Sequence, residues 1–200
     1  DELNRPQEDY LQALQRGAPS DAVMIFGMTQ LGYYSRMFYP VYQGRTYLNS
    51  SYFGNLGFAW PVALGAKVAQ PDKAVVAISG DGGFLYNSQE LATAVQYRAN
   101  LIVLVGNNGM YGTIRMHQEK DYPGRITGTD LINPDFAALA QAYGAYGAVV
   151  EKTNEFAAAF EAALDSGRPA VIEIRIDPEA ILPQATLSGL RQAALEKDKG

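Results

Sequence analysis

The sequence of 200 residues contains no cysteine and a single histidine, His117. Without thiols there can be no disulfide, no thiolate nucleophile and no zinc–thiolate centre. A thiol-free chain suits a reducing compartment, and cytoplasmic residence is the expectation. Positive charge is also scarce: 16 Lys and Arg stand against 21 Asp and Glu, for a net charge of −5. The basic residues form no run, which argues against a nucleic-acid surface and against an anionic membrane. Long apolar stretches are missing too. The clearest, at 74–78 (AVVAI) and 101–105 (LIVLV), are far too short to span a bilayer. Residues 1–10 are polar and acidic with no signal-peptide pattern, but residue 1 is Asp rather than Met, so what precedes it stays open. No internal repeat, low-complexity tract or linker interrupts the chain.

What is present is enough apolar material for a core: 48% of residues, with only 18% charged. The expectation is one domain over 1–200, with a core at about 20–180 and a C-terminal tail over 181–200. Short continuous apolar runs at 22–26, 74–78 and 101–105 predict strands covered on both faces. A helix over 6–14 ends at Gly17. A second spans 87–97, with Asn87 as N-cap and Glu90 three residues on as its capping-box partner. Pro134 predicts the first position of a helix running to Tyr143. A strand at 148–150, a helix over 154–164, a strand at 170–176 and a weak amphipathic helix at 187–195 follow. Alternation of strand and helix predicts an α/β fold, a mostly parallel sheet with helices on both faces. Ligands of such sheets bind at the carboxyl ends of the strands.

Two polar, glycine-rich clusters fall at those ends. Gly80-Asp81-Gly82-Gly83 follows one strand, and Gly106-Asn107-Asn108-Gly109-Met110-Tyr111-Gly112 follows the next. Asp81 offers a carboxylate, Asn108 an amide oxygen, and the glycines expose backbone N–H and C=O groups. A hard cation such as Mg2+ takes about six oxygens, of which one or two are carboxylates and others come from phosphate. One acid plus one amide is too little charge for an all-protein cage but complements a bound diphosphate. Each cluster taken alone is equally well explained as a tight turn.

Gly80-Asp81-Gly82, separated by positions 83–106 from Asn107-Asn108, resembles the signature of thiamine-diphosphate enzymes, and GDGGFLYNSQELATAV continues the pattern. Upstream, Gly54-Asn55-Leu56-Gly57-Phe58 resembles the family segment that supports the thiazolium ring. The similarity covers about 22–176 and is nearest to the acetolactate synthase group. It implies the thiamine-diphosphate-binding fold, with thiamine diphosphate and Mg2+ as cofactors. By the same resemblance, Asp81, the side-chain oxygen of Asn108 and the carbonyl of Met110 bind Mg2+. Gly82, Gly83, Tyr111, Gly112 and Thr113 line the diphosphate, and Gly27, Met28 and Thr29 close its other side. The carbonyl of Gly54 accepts a hydrogen bond from the cofactor's 4′-amino group. Leu56, where relatives usually have Met, wedges beneath the bent cofactor; its plainer reading is core packing. The implied activity is that of a 2-oxo-acid decarboxylase or carboligase, a lyase or transferase, in which the cofactor stabilises the carbanion left by decarboxylation.

The family's activating glutamate comes from a pyrimidine-binding domain, usually on a partner subunit. No Glu here has a matching context: Glu90 belongs to the helix after the first turn and Glu119 to a later loop. The expectation is therefore a fragment or the small subunit of a split enzyme, inactive alone, with the pyrimidine-binding domain absent. The expected assembly is at least dimeric, and the expected substrate is a small 2-oxo acid. The aromatic stretch Tyr33, Tyr34, Phe38, Tyr39, Tyr42, Tyr47, Tyr52, Phe53 divides on this reading between core and partner surface. His117 is a candidate catalytic group, though a lone His is more often structural. Arg115 could pair with a substrate carboxylate, and a surface salt bridge is its plainer role. The rival from another class is a non-catalytic diphosphate or nucleotide binding module. A dinucleotide-binding reading is weaker, because no G-x-G-x-x-G follows a strand and opens a helix with an acidic residue about twenty positions on.

Overall fold

The computed structural model describes residues 5–50, 52–182 and 185–197. Among these, six parallel strands form one sheet in the order β2-β1-β3-β4-β6-β5. The strands are β1 (Val23–Phe26), β2 (Tyr47–Asn49), β3 (Val75–Gly80), β4 (Ile102–Asn107), β5 (Tyr146–Val150) and β6 (Ala170–Arg175). Side chains alternate across a strand, so a sheet covered on both faces needs apolar residues at every position. β1 shows this: Met24 and Phe26 enter one core cluster, Val23 and Ile25 the other. The predicted α/β architecture with helices on both faces is what the chain adopts.

One face is covered by α1 (Arg5–Gly17), α2 (Gln30–Phe38) and α8 (Phe156–Asp165), which contribute Leu14, Tyr34 and Phe160. The other is covered by α3 (Ala59–Ala69), α4 (Asp81–Leu85), α5 (Leu91–Gln96) and α7 (Phe136–Ala142). They contribute Trp60, Phe84, Leu91 and Phe136. Two more helices, α6 (Gly112–Asp121) and α9 (Leu187–Lys197), meet beyond the strand ends. Met116 of α6 packs there with Ile181 and Leu187 in a third, smaller cluster. No helix among the described residues is long and apolar enough to cross a membrane.

Several local expectations are corrected. Asn87 does not cap a helix, because its side-chain amide donates to Gly57 O (2.7 Å) and a 3-10 turn at Ser88–Glu90 precedes α5. Glu90 accepts from Thr93 Oγ1 (2.6 Å) rather than closing a capping box. α7 starts after Pro134, at Phe136, since the Asp135 side chain accepts from Ala138 N (2.8 Å) and makes Asp135 the cap. Glu119 lies on helix α6, not in a loop. Elements α2, β2 and α3 carry no distinct signal in the aromatic stretch and its glycine-rich continuation. Of those aromatics, Tyr34 is buried and Tyr39 and Tyr47 pack on Phe26, whereas Phe38, Tyr42, Tyr52 and Phe53 are exposed.

Candidate functional site

The chain leaves β1 for the edge strand β2 and then returns to β3 on the other side of β1. This reversal opens a crevice at the carboxyl ends of β1 and β3, the place where ligands of open parallel sheets bind. The crevice encloses ≈ 410 Å³, part of it open to solvent. Its β1 side is Met28, Thr29 and Gln30; its β3 side is Gly80, Asp81, Gly82 and Gly83. The end of β4, the turn after it and the start of α6 supply Gly106, Asn108 and residues 110–114, while Leu56 and Ile181 complete the wall. Gly80 pairs with Gly106 in the β3–β4 register, which brings the two turns side by side.

Of the residues singled out in the sequence, Met28, Thr29, Leu56, Asp81, Gly82, Gly83, Asn108, Met110, Tyr111, Gly112 and Thr113 all line this crevice. Gly27 and Gly54 stand just behind it. Gly27 N donates to Ile78 O (2.8 Å), and a side chain at Gly54 would touch Met28. His117 is exposed on α6 and does not line the crevice. Gln30, Ile114 and Ile181 line it without having been singled out. Ile181 lies 70 residues beyond Tyr111, so only the packing of the C-terminal segment brings it there.

Asp81 is 2% exposed. Its Oδ1 accepts from Gly82 N (2.9 Å), and its Oδ2 accepts from Gly109 N (2.9 Å) and Asn133 Nδ2 (2.7 Å). Burial pushes this carboxyl above the usual carboxylate range, while those hydrogen bonds pull it down. A carboxylate so placed gains from a cation. Asn108 Oδ1 accepts from Met110 N (3.2 Å), which folds the turn back on itself. Gly109 sits at φ +71°, a conformation other residues rarely adopt. A Cβ at Gly82 would fall 2.5 Å from the Tyr111 ring, so only glycine admits that ring.

The candidate donors expected from the sequence are one carboxylate, one amide oxygen and one main-chain carbonyl, all hard oxygen ligands. Among the described residues no three His, Cys, Asp or Glu side chains gather in a metal-binding group. Such a set suits a divalent cation that shares its coordination with phosphate oxygens. The first turn of α6, with Thr113 and Ile114 on the crevice wall, carries N–H groups that helix geometry leaves without intrahelical acceptors. The arrangement therefore fits an anionic diphosphate held with a metal ion.

The wall formed by α6 is fixed by ion pairs. Glu119 is fully buried; Arg191 of α9 donates to both its oxygens, by Nε at 2.6 Å and by Nη2. Arg115 Nε reaches Glu119 Oε1 at 3.0 Å, and its Nη1 reaches Asp130 Oδ1 at 3.0 Å. The hydrogen bonds from Arg191, with Arg115 beside it, hold the Glu119 carboxyl below the usual range against the effect of burial. Arg115 is thus committed to an ion-pair network that is only partly at the surface.

Residues 27–174 match the family described as thiamine pyrophosphate enzyme, C-terminal TPP binding domain. The acetolactate synthase isozyme 3 large subunit of Escherichia coli (strain K12) is 32% identical over 190 residues, 92% of this chain and 33% of that protein. A probable acetolactate synthase large subunit of Methanococcus aeolicus is 35% identical over 157 residues, 76% of this chain and 26% of that protein. Among solved structures, the thiamine diphosphate-dependent 4-hydroxybenzoylformate decarboxylase of Rhodococcus jostii RHA1 superposes with a TM-score of 0.79 at 31% identity. That match covers 86% of this chain and 32% of the other. The chain thus spans about a quarter to a third of the length of these relatives.

Proposed function

The chain belongs to the thiamine pyrophosphate enzymes, as an acetolactate synthase-like C-terminal TPP-binding domain, and from that premise we propose that it holds the diphosphate of thiamine diphosphate through Mg2+ in an enzyme that decarboxylates or ligates 2-oxo acids. When bound, the cofactor supplies the electron sink for the carbanion of decarboxylation. The residues' part is to bind and orient. Asp81, Asn108 and the Met110 carbonyl would hold the cation, and Gly82, Gly83, Tyr111, Gly112 and Thr113 the diphosphate. Met28 and Thr29, backed by Gly27, would close the β1 side. Leu56 would shape the cofactor from below, beside the Gly54 carbonyl. A 2-oxo acid is the substrate class, and a pyrimidine-binding domain on the same or a partner chain would complete the site. The exposed Tyr52 and Phe53, in the segment that leads from β2 to Gly54, support such a partner surface.

The observation that carries this reading is the buried Asp81 carboxylate, 2% exposed, beside an amide oxygen and a helix N-terminus in one switch-point crevice. Calorimetric titration of thiamine diphosphate with Mg2+ and then with EDTA tests it. Binding is expected only with the metal. Asp81→Ala should weaken it by more than the roughly 10–100-fold that outer partners of a metal carry, with the fold retained. Unchanged affinity in that variant would refute the metal assignment. A non-catalytic diphosphate module would show the same binding but no turnover after addition of the pyrimidine-binding domain.

A further inference from the structure

Behind Asp81, on the side away from the crevice, lies a hydrogen-bond relay that is buried at Glu173 and Asn107 and half-buried at Asn133. Asn133 Nδ2 donates both to Asp81 Oδ2 (2.7 Å) and to Asn107 Oδ1 (2.9 Å). Asn107 Nδ2 donates to Glu173 Oε1 (2.6 Å). Glu173 is fully buried in β6 between Ile172 and Ile174. Its Oε1 also pairs with Arg175 Nε (3.1 Å), and its Oε2 accepts from Phe136 N (3.3 Å) at the start of α7. None of Asn107, Asn133 and Glu173 lines the crevice.

The direction of the relay is set from the Glu173 end. Both oxygens of that carboxylate are engaged by donors, so Asn107 must turn its NH2 towards it. The Asn107 Oδ1 then faces the turn, where it accepts from Gly109 N (3.1 Å). Asn133 therefore meets two oxygens and must donate to both. Its own Oδ1 is buried and finds no donor among the described residues. An amide that leaves its acceptor unpaired is held by its donations, because the opposite orientation would set oxygen against oxygen. A charged group in an otherwise apolar core strand is likewise costly to folding compared with an apolar residue of its size.

Resting on the cofactor reading above, we propose that Glu173 and Asn133 are positioning residues for the metal-binding carboxylate. Through Asn107 they direct two N–H donors, Asn133 Nδ2 and Gly109 N, onto Asp81 Oδ2 and saturate it. Oδ1, which accepts from Gly82 N, is left as the oxygen offered to a divalent cation. The relay gives the site a fixed polarity before any ligand arrives.

The test uses Glu173→Gln and Asn133→Ala in the full chain; Asn133 lies in a loop, so the second variant is expected to fold even if the first does not. In the unliganded chain, the Gly109 amide should lose protection from hydrogen exchange by roughly ten-fold, the scale of one net hydrogen bond. Val103 in β4 should be little affected. With saturating thiamine diphosphate, the Mg2+ concentration for half-saturation should rise by roughly 10–100-fold in both variants. Unchanged Gly109 exchange in Asn133→Ala would overturn the relay. Lost protection with an unchanged Mg2+ requirement would overturn the positioning role and leave a structural network. A wild-type chain that takes up no thiamine diphosphate at any Mg2+ concentration would overturn the site reading instead, and Gly109 exchange would still report on the relay.

Discussion

Asp81 draws its character from placement: the same carboxylate on a surface turn would be an ordinary solvated acid. Leu56 is the side chain whose two readings separate most cleanly. It is half-buried, so Leu56→Ala should cost about 1 kcal/mol in stability, well below a full core truncation. With the proposed pyrimidine-binding domain added, the same change should slow exchange of the cofactor's C2 proton, as followed by NMR. Exchange at the wild-type rate would make Leu56 packing only. Glu119 predicts a pH dependence. Its folded pKa is depressed, first by the hydrogen bonds from Arg191, so the unfolded chain takes up the proton more readily. The stabilisation is complete above the unfolded value of about 4.3 and is lost as pH falls through the lower folded value. The thermal midpoint of the wild type should therefore fall more steeply between about pH 5 and pH 3 than that of Glu119→Gln.

At the scale of elements, three connections form the site: β1 to α2, β3 to α4, and β4 to α6. Each leaves its strand at a glycine-containing turn, and parallel register puts the turns side by side. A fourth contribution comes from the C-terminal segment. Gln30 Nε2 donates to Ala180 O, Ile181 stands in the wall, and α9 is pinned on α6 by Arg191 and Glu119. Arg191→Ala should speed amide exchange throughout α9 while leaving β3 and β4 protected. Equal protection of α9 in the variant would show that Met116, Ile181 and Leu187 hold it without the ion pair.

For the whole molecule, ligand binding and folding are one equilibrium. On the proposed function, thiamine diphosphate and Mg2+ at about 100 times the dissociation constant should add about 2.7 kcal/mol to folding. In a chain of this size that raises the thermal midpoint by roughly 5–10 °C. Calorimetric melting should show the shift with Mg2+ and lose it with EDTA; a shift that survives EDTA would mean binding without the metal.

The sequence by itself determined the α/β class, because runs such as VVAI and IVLV can be buried only in a sheet covered on both faces. It also marked Asp81 and Asn108, since glycine-rich polar turns directly after such runs have one place to lie. Local pattern failed where a side chain's partner is distant. Asn87 looks like a cap until Gly57 takes its amide, and Glu119 looks like a loop residue until Arg191, 72 positions later, neutralises it in the interior. Asn133 and Glu173 carry no motif at all. Their role exists only because parallel register sets Asn107 against Arg175 and the chain after α6 returns to Asp81. Hydrophobic periodicity is a local property and can be read along the chain; hydrogen-bond direction depends on which groups meet, and only the tertiary structure decides that.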